Sequence, residues 1–158
     1  MLKKRDTAAD MTRAASRRPP AMPAVFQVFY VSRANPTLDD AQVQAILHSS
    51  RRQNARLDVT GCLLFSGHCF AQVLEGAQPV VSALARTIAA DPRHTAVRVL
   101  SRTRRAEREY ADWSMGYLYD LNLEDDLETL LVIPDRSPVV VAEVMERMRP
   151  DPVMGALR

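Results

Sequence analysis

The run CFAQVLEG, residues 69–76, sets a glutamine between two large apolar side chains. On an extended chain Phe70, Gln72 and Leu74 share one face, and Cys69, Ala71 and Val73 share the other. A primary amide can donate twice and accept twice. Left unpartnered in a core it costs on the order of 1–3 kcal/mol, so a buried Gln72 needs partners. The run VFQVFYVS (25–32) reads as another strand, with Phe26, Val28, Tyr30 and Ser32 on one side. Tyr30 can therefore bring a phenolic hydroxyl toward Gln72. Asn54, near the end of a predicted helix, can bring a second amide. Such a trio fits either a satisfied core network or a pocket for a planar heterocycle rich in donors and acceptors, and periodicity does not choose between them.

Other chemistries find little support. There is no glycine-rich phosphate loop and no G-x-S-x-G. His48, His68, His94 and the two cysteines lack metal-ligand spacing, and although His68 adjoins Cys69, no metal site is expected. Asp39-Asp40 and Glu124-Asp125-Asp126 fall at predicted helix N-termini, where carboxylates favour the helix dipole. Cys62 and Cys69 flank a predicted hairpin without facing each other, so both read as free thiols, as suits a reducing cytoplasm. A net charge of +2 over 158 residues is too small to argue for nucleic acid, which is not the expected partner. Much of the basic character sits in Lys3, Lys4, Arg5, Arg13, Arg17 and Arg18. No apolar run has signal-peptide or membrane-spanning length, so a cytoplasmic location is expected.

The elements that must position these residues follow in order. Residues 1–24, rich in Ala, Arg and Pro, read as a disordered basic leader. After strand 25–32, ANPT breaks the chain, and Thr37 with Asp40 resembles a capping box for a helix reaching about Asn54. VTGCLLFSG and HCFAQVLEG read as strands joined at Ser66-Gly67-His68. Pro79 suits the first turn of a second helix, with Val81, Leu84, Ala85 and Ile88 as its stripe and Asp91-Pro92 as its end. AVRVLSRT (96–103) and YADWSMGYL (110–118) read as two more strands. The βαββαββ order predicts an α+β, ferredoxin-like sandwich with two helices on one face of a mixed sheet. Two amphipathic helices within 121–158, separated by Pro134 and Pro138, are expected to cover the other face.

The stretch 25–120 resembles a BLUF domain, the family of blue-light sensors that use flavin. The matching pieces are FYVSRA (29–34), ILHSSRRQNA (46–55), VTGCLLFSG (59–67), FAQVLEG (70–76), DPRH (91–94) and DWSMGY (112–117), all in family order. The resemblance implies that Tyr30 and Gln72 are the photoactive pair, and that Asn54 binds the flavin. It also implies cofactor contacts from Asp91, Arg93, His94, Phe70 and Ser50, and signal coupling through Trp113 and Met115. Gln53 stands where several relatives carry histidine or asparagine, and Asp58 where glycine is common.

The cofactor so implied is FAD, with FMN as the alternative, and the resemblance implies a light switch rather than an enzyme. Tyr30 would yield an electron and then a proton, and recombination would leave Gln72 rotated or tautomerised. An amide suits the part because its two ends differ chemically but are nearly equal in shape. No effector domain is read within the 158 residues, so the output is expected to pass to an unknown partner protein or through a homo-oligomer. The rival reading is an RNA-recognition module, which shares the strand order but requires a basic-aromatic sheet signature lacking here.

Overall fold

The computed structural model of the protein describes residues 24–133 and 137–151. The expected leader, apart from Ala24, and Pro134 lie outside the described residues. Five strands form one sheet: β1 (Val25–Ala34), β2 (Thr60–Phe65), β3 (Cys69–Gly76), β4 (His94–Arg105) and β5 (Gly116–Tyr119). Their order across the sheet is β4-β1-β3-β2-β5. The first four neighbours pair antiparallel and β5 runs parallel to β2. The ferredoxin-like α+β sandwich with a mixed sheet is therefore present as expected.

Every residue of β2 and β3 is buried, because both sheet faces are covered. On the first face lie α1 (Asp40–Leu57) and α2 (Gln78–Ala89). They pack Val43, Ile46, Leu47, Val81 and Leu84 over Phe26, Val28, Tyr30, Leu63, Phe70 and Leu74. On the second lie α3 (Glu124–Val132) and α4 (Pro138–Met148). These set Leu127, Leu130, Val144 and Met148 against Phe29, Val31, Cys62, Leu64, Ala71 and Val73. Cys62 pairs with Val73 and Cys69 with Arg33, so the free thiols do not face each other.

Three local expectations change. The α1 cap is Asp39 rather than Thr37: its carboxylate accepts from the Gln42 backbone N–H at 2.8 Å, and the Gln42 side chain accepts from the Asp39 N–H at 2.9 Å. Thr37 bonds instead to the Asn35 side chain. The helix runs past Asn54 to Leu57 and closes on Asp58, whose φ of 52° lies in the left-handed region. Glycine is the easiest residue there and aspartate one of the few others that adopts it readily. The last strand spans only Gly116–Tyr119, while 106–115 form an irregular crossover from the β4 edge to the β5 edge.

Candidate functional site

Tyr30 and Gln72 are register partners across the β1–β3 ladder, with side chains on the α1–α2 face. Tyr30 is 1% exposed and its hydroxyl has no hydrogen-bond partner. Burial, reinforced by the negative charge of Asp91, pushes that hydroxyl well above the ordinary phenol range, so it holds its proton. Gln72 is 4% exposed, and its Nε2 donates to the Met115 sulfur at 3.5 Å, a weak acceptor. Here are two buried polar side chains side by side, one orphaned and one poorly satisfied. Both are conditions that native cores avoid.

A cleft opens beside them between α1 and α2. Ile46, Ser49, Ser50, Gln53 and Asn54 come from α1, and Leu84, Thr87 and Ile88 from α2. Leu63, Gln72, Asp91, Arg93 and His94 complete it. Asn54 is buried and lines the cleft, and its Nδ2 donates to the Ser114 carbonyl at 2.7 Å. At the mouth, Arg93 forks Asp91 with bonds of 2.6 to 3.0 Å. That fork holds the Asp91 carboxyl below the usual carboxylate range. His94 meets Ser32 Oγ at 3.1 Å and packs with its ring tilted 51° to that of Phe70, centroids 5.0 Å apart. Burial lowers its imidazole, the Asp91 charge opposing and Arg93 reinforcing the shift.

The structure thus gathers Ser50, Asn54, Gln72, Asp91, Arg93 and His94 around one cleft, with Tyr30 and Phe70 buried in the sheet beneath it. Trp113 and Met115 separate. Met115 is 2% exposed and joins the first-face core against Gln72. Trp113 packs with the second-face cluster, 6.2 Å from Tyr110 and over Gly116, where a Cβ would collide with its ring. Ile46, Ser49, Leu84, Thr87 and Ile88 were not singled out as site residues in the sequence. Their only signal is helical spacing toward Asn54 and Asp91, which core packing produces as well.

The chemistry of the cleft fits a planar, polar-edged ring. It offers the Gln72 and Asn54 amides and apolar walls from Ile46, Leu63 and Leu84, with the Tyr30 phenol in the sheet opposite Gln72. Its volume is about 100 Å³, below the ~300–1,000 Å³ of a typical ligand pocket. Elsewhere, the donor atoms of Cys69, Glu124 and Glu128 lie within 4.8 Å of one another. There Arg33 forks Glu128 at 2.6 and 3.1 Å, Ser66 bonds Glu124, and burial pushes the Cys69 thiol up to about 12. These groups tie the sheet to α3.

The family described as sensors of blue-light using FAD matches residues 25–116. Among curated proteins, a photoactivated adenylate cyclase subunit beta from Euglena longa is 36% identical over 87 residues. That match covers 54% of this chain and 10% of the cyclase subunit. The blue light- and temperature-regulated antirepressor of Escherichia coli is 33% identical over 96 residues, 61% of this chain and 24% of the antirepressor. The chain thus spans only a small part of the curated relatives it matches. Among solved structures, BlrB in its dark state superposes with a TM-score of 0.66 at 31% identity, covering 79% of this chain and 95% of that one.

Proposed function

The chain belongs to the BLUF family, sensors of blue light that use flavin, and from that premise we propose how its own residues perform the sensing. The observation that carries the proposal is the pairing of an orphaned Tyr30 hydroxyl with a Gln72 amide bonded only weakly to Met115. Asn54, Ser50 and Gln72 would hold the ring edge, and Phe70 and His94 would support its underside. Asp91 and Arg93 would meet the polar tail at the mouth. When bound, the flavin supplies blue-light absorption and an electron acceptor beside Tyr30.

The residues themselves account for the switch. Tyr30 keeps its proton in the dark because burial disfavours the phenolate. Gln72 presents its amide nitrogen to Met115 in the geometry seen here. Reversing the amide turns a carbonyl oxygen toward a sulfur that cannot donate, so that contact is lost and Met115 is released. Light is thereby converted into a change at Met115 without turnover. Residues 25–120 would form the sensing unit, and α3 and α4 its connection to a downstream partner or a second copy. The family assignment removes the ground for an RNA-recognition module. No helix among the described residues is long and apolar enough to cross a membrane.

Absorption spectra before and after blue light test this reading. The purified protein is expected to be yellow, and its flavin band to shift red under illumination and recover in the dark. Gln72→Leu and Tyr30→Phe should keep the flavin and lose the normal shift. A folded protein that takes up no flavin would overturn the reading.

A further inference from the structure

Glu75 lies three residues beyond Gln72 in β3, on the opposite sheet face, and is 0% exposed. A buried carboxylate is costly unless hydrogen bonds surround it, and this one is surrounded. It accepts from Gln27 Nε2 at 2.9 Å, the Glu109 and Tyr110 backbone N–H groups at 3.0 Å each, and Thr60 Oγ1 at 3.3 Å. Two of the four donors are main-chain groups of the crossover between β4 and β5. Glu75 therefore clamps that segment to the second face.

From this clamp the crossover rounds the start of β2, where the Trp113 carbonyl accepts from Gly61 N–H at 3.0 Å. It then reaches the first face. There Asn54 holds the Ser114 carbonyl at 2.7 Å and Arg51 Nε the Met115 carbonyl at 2.9 Å, beside Gln72. At its other end, Glu109 is bonded at 2.8 Å by Arg149, directly after α4. One short segment thus touches the light-sensitive amide at Met115 and the end of α4 at Glu109.

We propose that Glu75 is a positioning residue that makes the 106–115 crossover a stiff strap, so that a displacement of Met115 is passed through Glu109 to Arg149 and α4. This rests on the photoreceptor reading above. A four-bonded carboxylate at the Glu109 end of the strap suits the task because it leaves the Glu109 and Tyr110 peptides no local freedom to absorb the movement. Without it, a shift at Met115 dissipates in the loop.

The test is hydrogen exchange of the full-length, flavin-loaded protein in dark and light, with absorption spectra from the same samples. In the wild type, α4 and residues 109–115 are expected to change protection on illumination. Glu75→Gln preserves shape but offers one acceptor oxygen to four donors. It is expected to keep the flavin and the red shift while losing the light-minus-dark difference in α4. Arg149→Ala cuts only the far arm and is expected to do the same, with Arg149→Lys restoring the response. Glu146→Ala, which removes a second partner of Arg149, should leave it intact. Should Glu75→Gln not fold, the Arg149 series decides alone. A wild type that shifts red with no change in α4, or variants that retain the α4 response, would overturn the strap while leaving the photoreceptor standing. A wild type with no red shift would overturn the photoreceptor itself.

Discussion

Burial holds the His94 imidazole below its ordinary 6.5, and His94 is only 8% exposed where it meets Ser32. Folding therefore favours the neutral ring, while the unfolded chain takes up a proton near 6.5. The stability this contributes is full above 6.5 and is lost as the pH falls toward the lower folded-state value. Asp91 is held below its ordinary 3.8 by Arg93, so its contribution is lost only in more acidic solution. Denaturant midpoints between pH 7.5 and 5.5 should thus fall in the wild type and fall less in His94→Asn. An equal slope in both would remove His94 as the cause. At this scale the sequence was informative where side chains alternate along one strand: Tyr30 and Gln72 emerged as inward polar residues from spacing alone. It offered Tyr30 as a neighbour of Gln72 without fixing the register that sets them opposite each other, and it was silent on Ser32 beside His94. Glu75 shows the same limit, since nothing in VLEG reveals that four donors from β1, β2 and the crossover converge on its carboxylate.

Secondary-structure elements were legible where a punctuating residue marked them and obscure where the chain changes face. Pro79 and Pro138 open α2 and α4, and Gly67, with φ 110°, makes the β2–β3 turn. The crossover misled because Trp113 and Met115, two residues apart, look like the apolar side of a strand. They instead serve different faces, as the segment rounds the end of the sheet to reach β5. Gly116 fixes which of them goes where: its missing side chain is the seat of the Trp113 ring. Gly116→Ala should push that ring from its seat at a cost of about 1–3 kcal/mol. The expected signs are a changed Trp113 emission and a lower unfolding midpoint. Unaltered emission at full stability would show that the ring does not rest there.

The whole molecule is a sheet with two separate apolar cores, and this division decides what each substitution can disturb. The cleft belongs to the first face, whereas α3 and α4 belong to the second. The second layer is fastened at its rim by Arg33 to Glu128, by Arg98 to the carbonyls of Leu130, Leu131 and Ile133, and by Arg147 to Asp120. Sequence patterning foresaw the layer but not these ties, because each joins residues distant along the chain. Leu127, 0% exposed in α3, is packed only into the second core, and Leu84, 7% exposed in α2, walls the cleft. Leu127→Ala should cost about 2–5 kcal/mol yet keep flavin uptake and the red shift, since the sheet separates the cavity from the chromophore. Leu84→Ala should weaken flavin retention by more than its smaller loss of stability would suggest. Denaturation curves paired with flavin titrations distinguish the two effects. Loss of flavin from a folded Leu127→Ala protein would mean that the two faces communicate through the core of the sheet, and not chiefly through the strap around its edge.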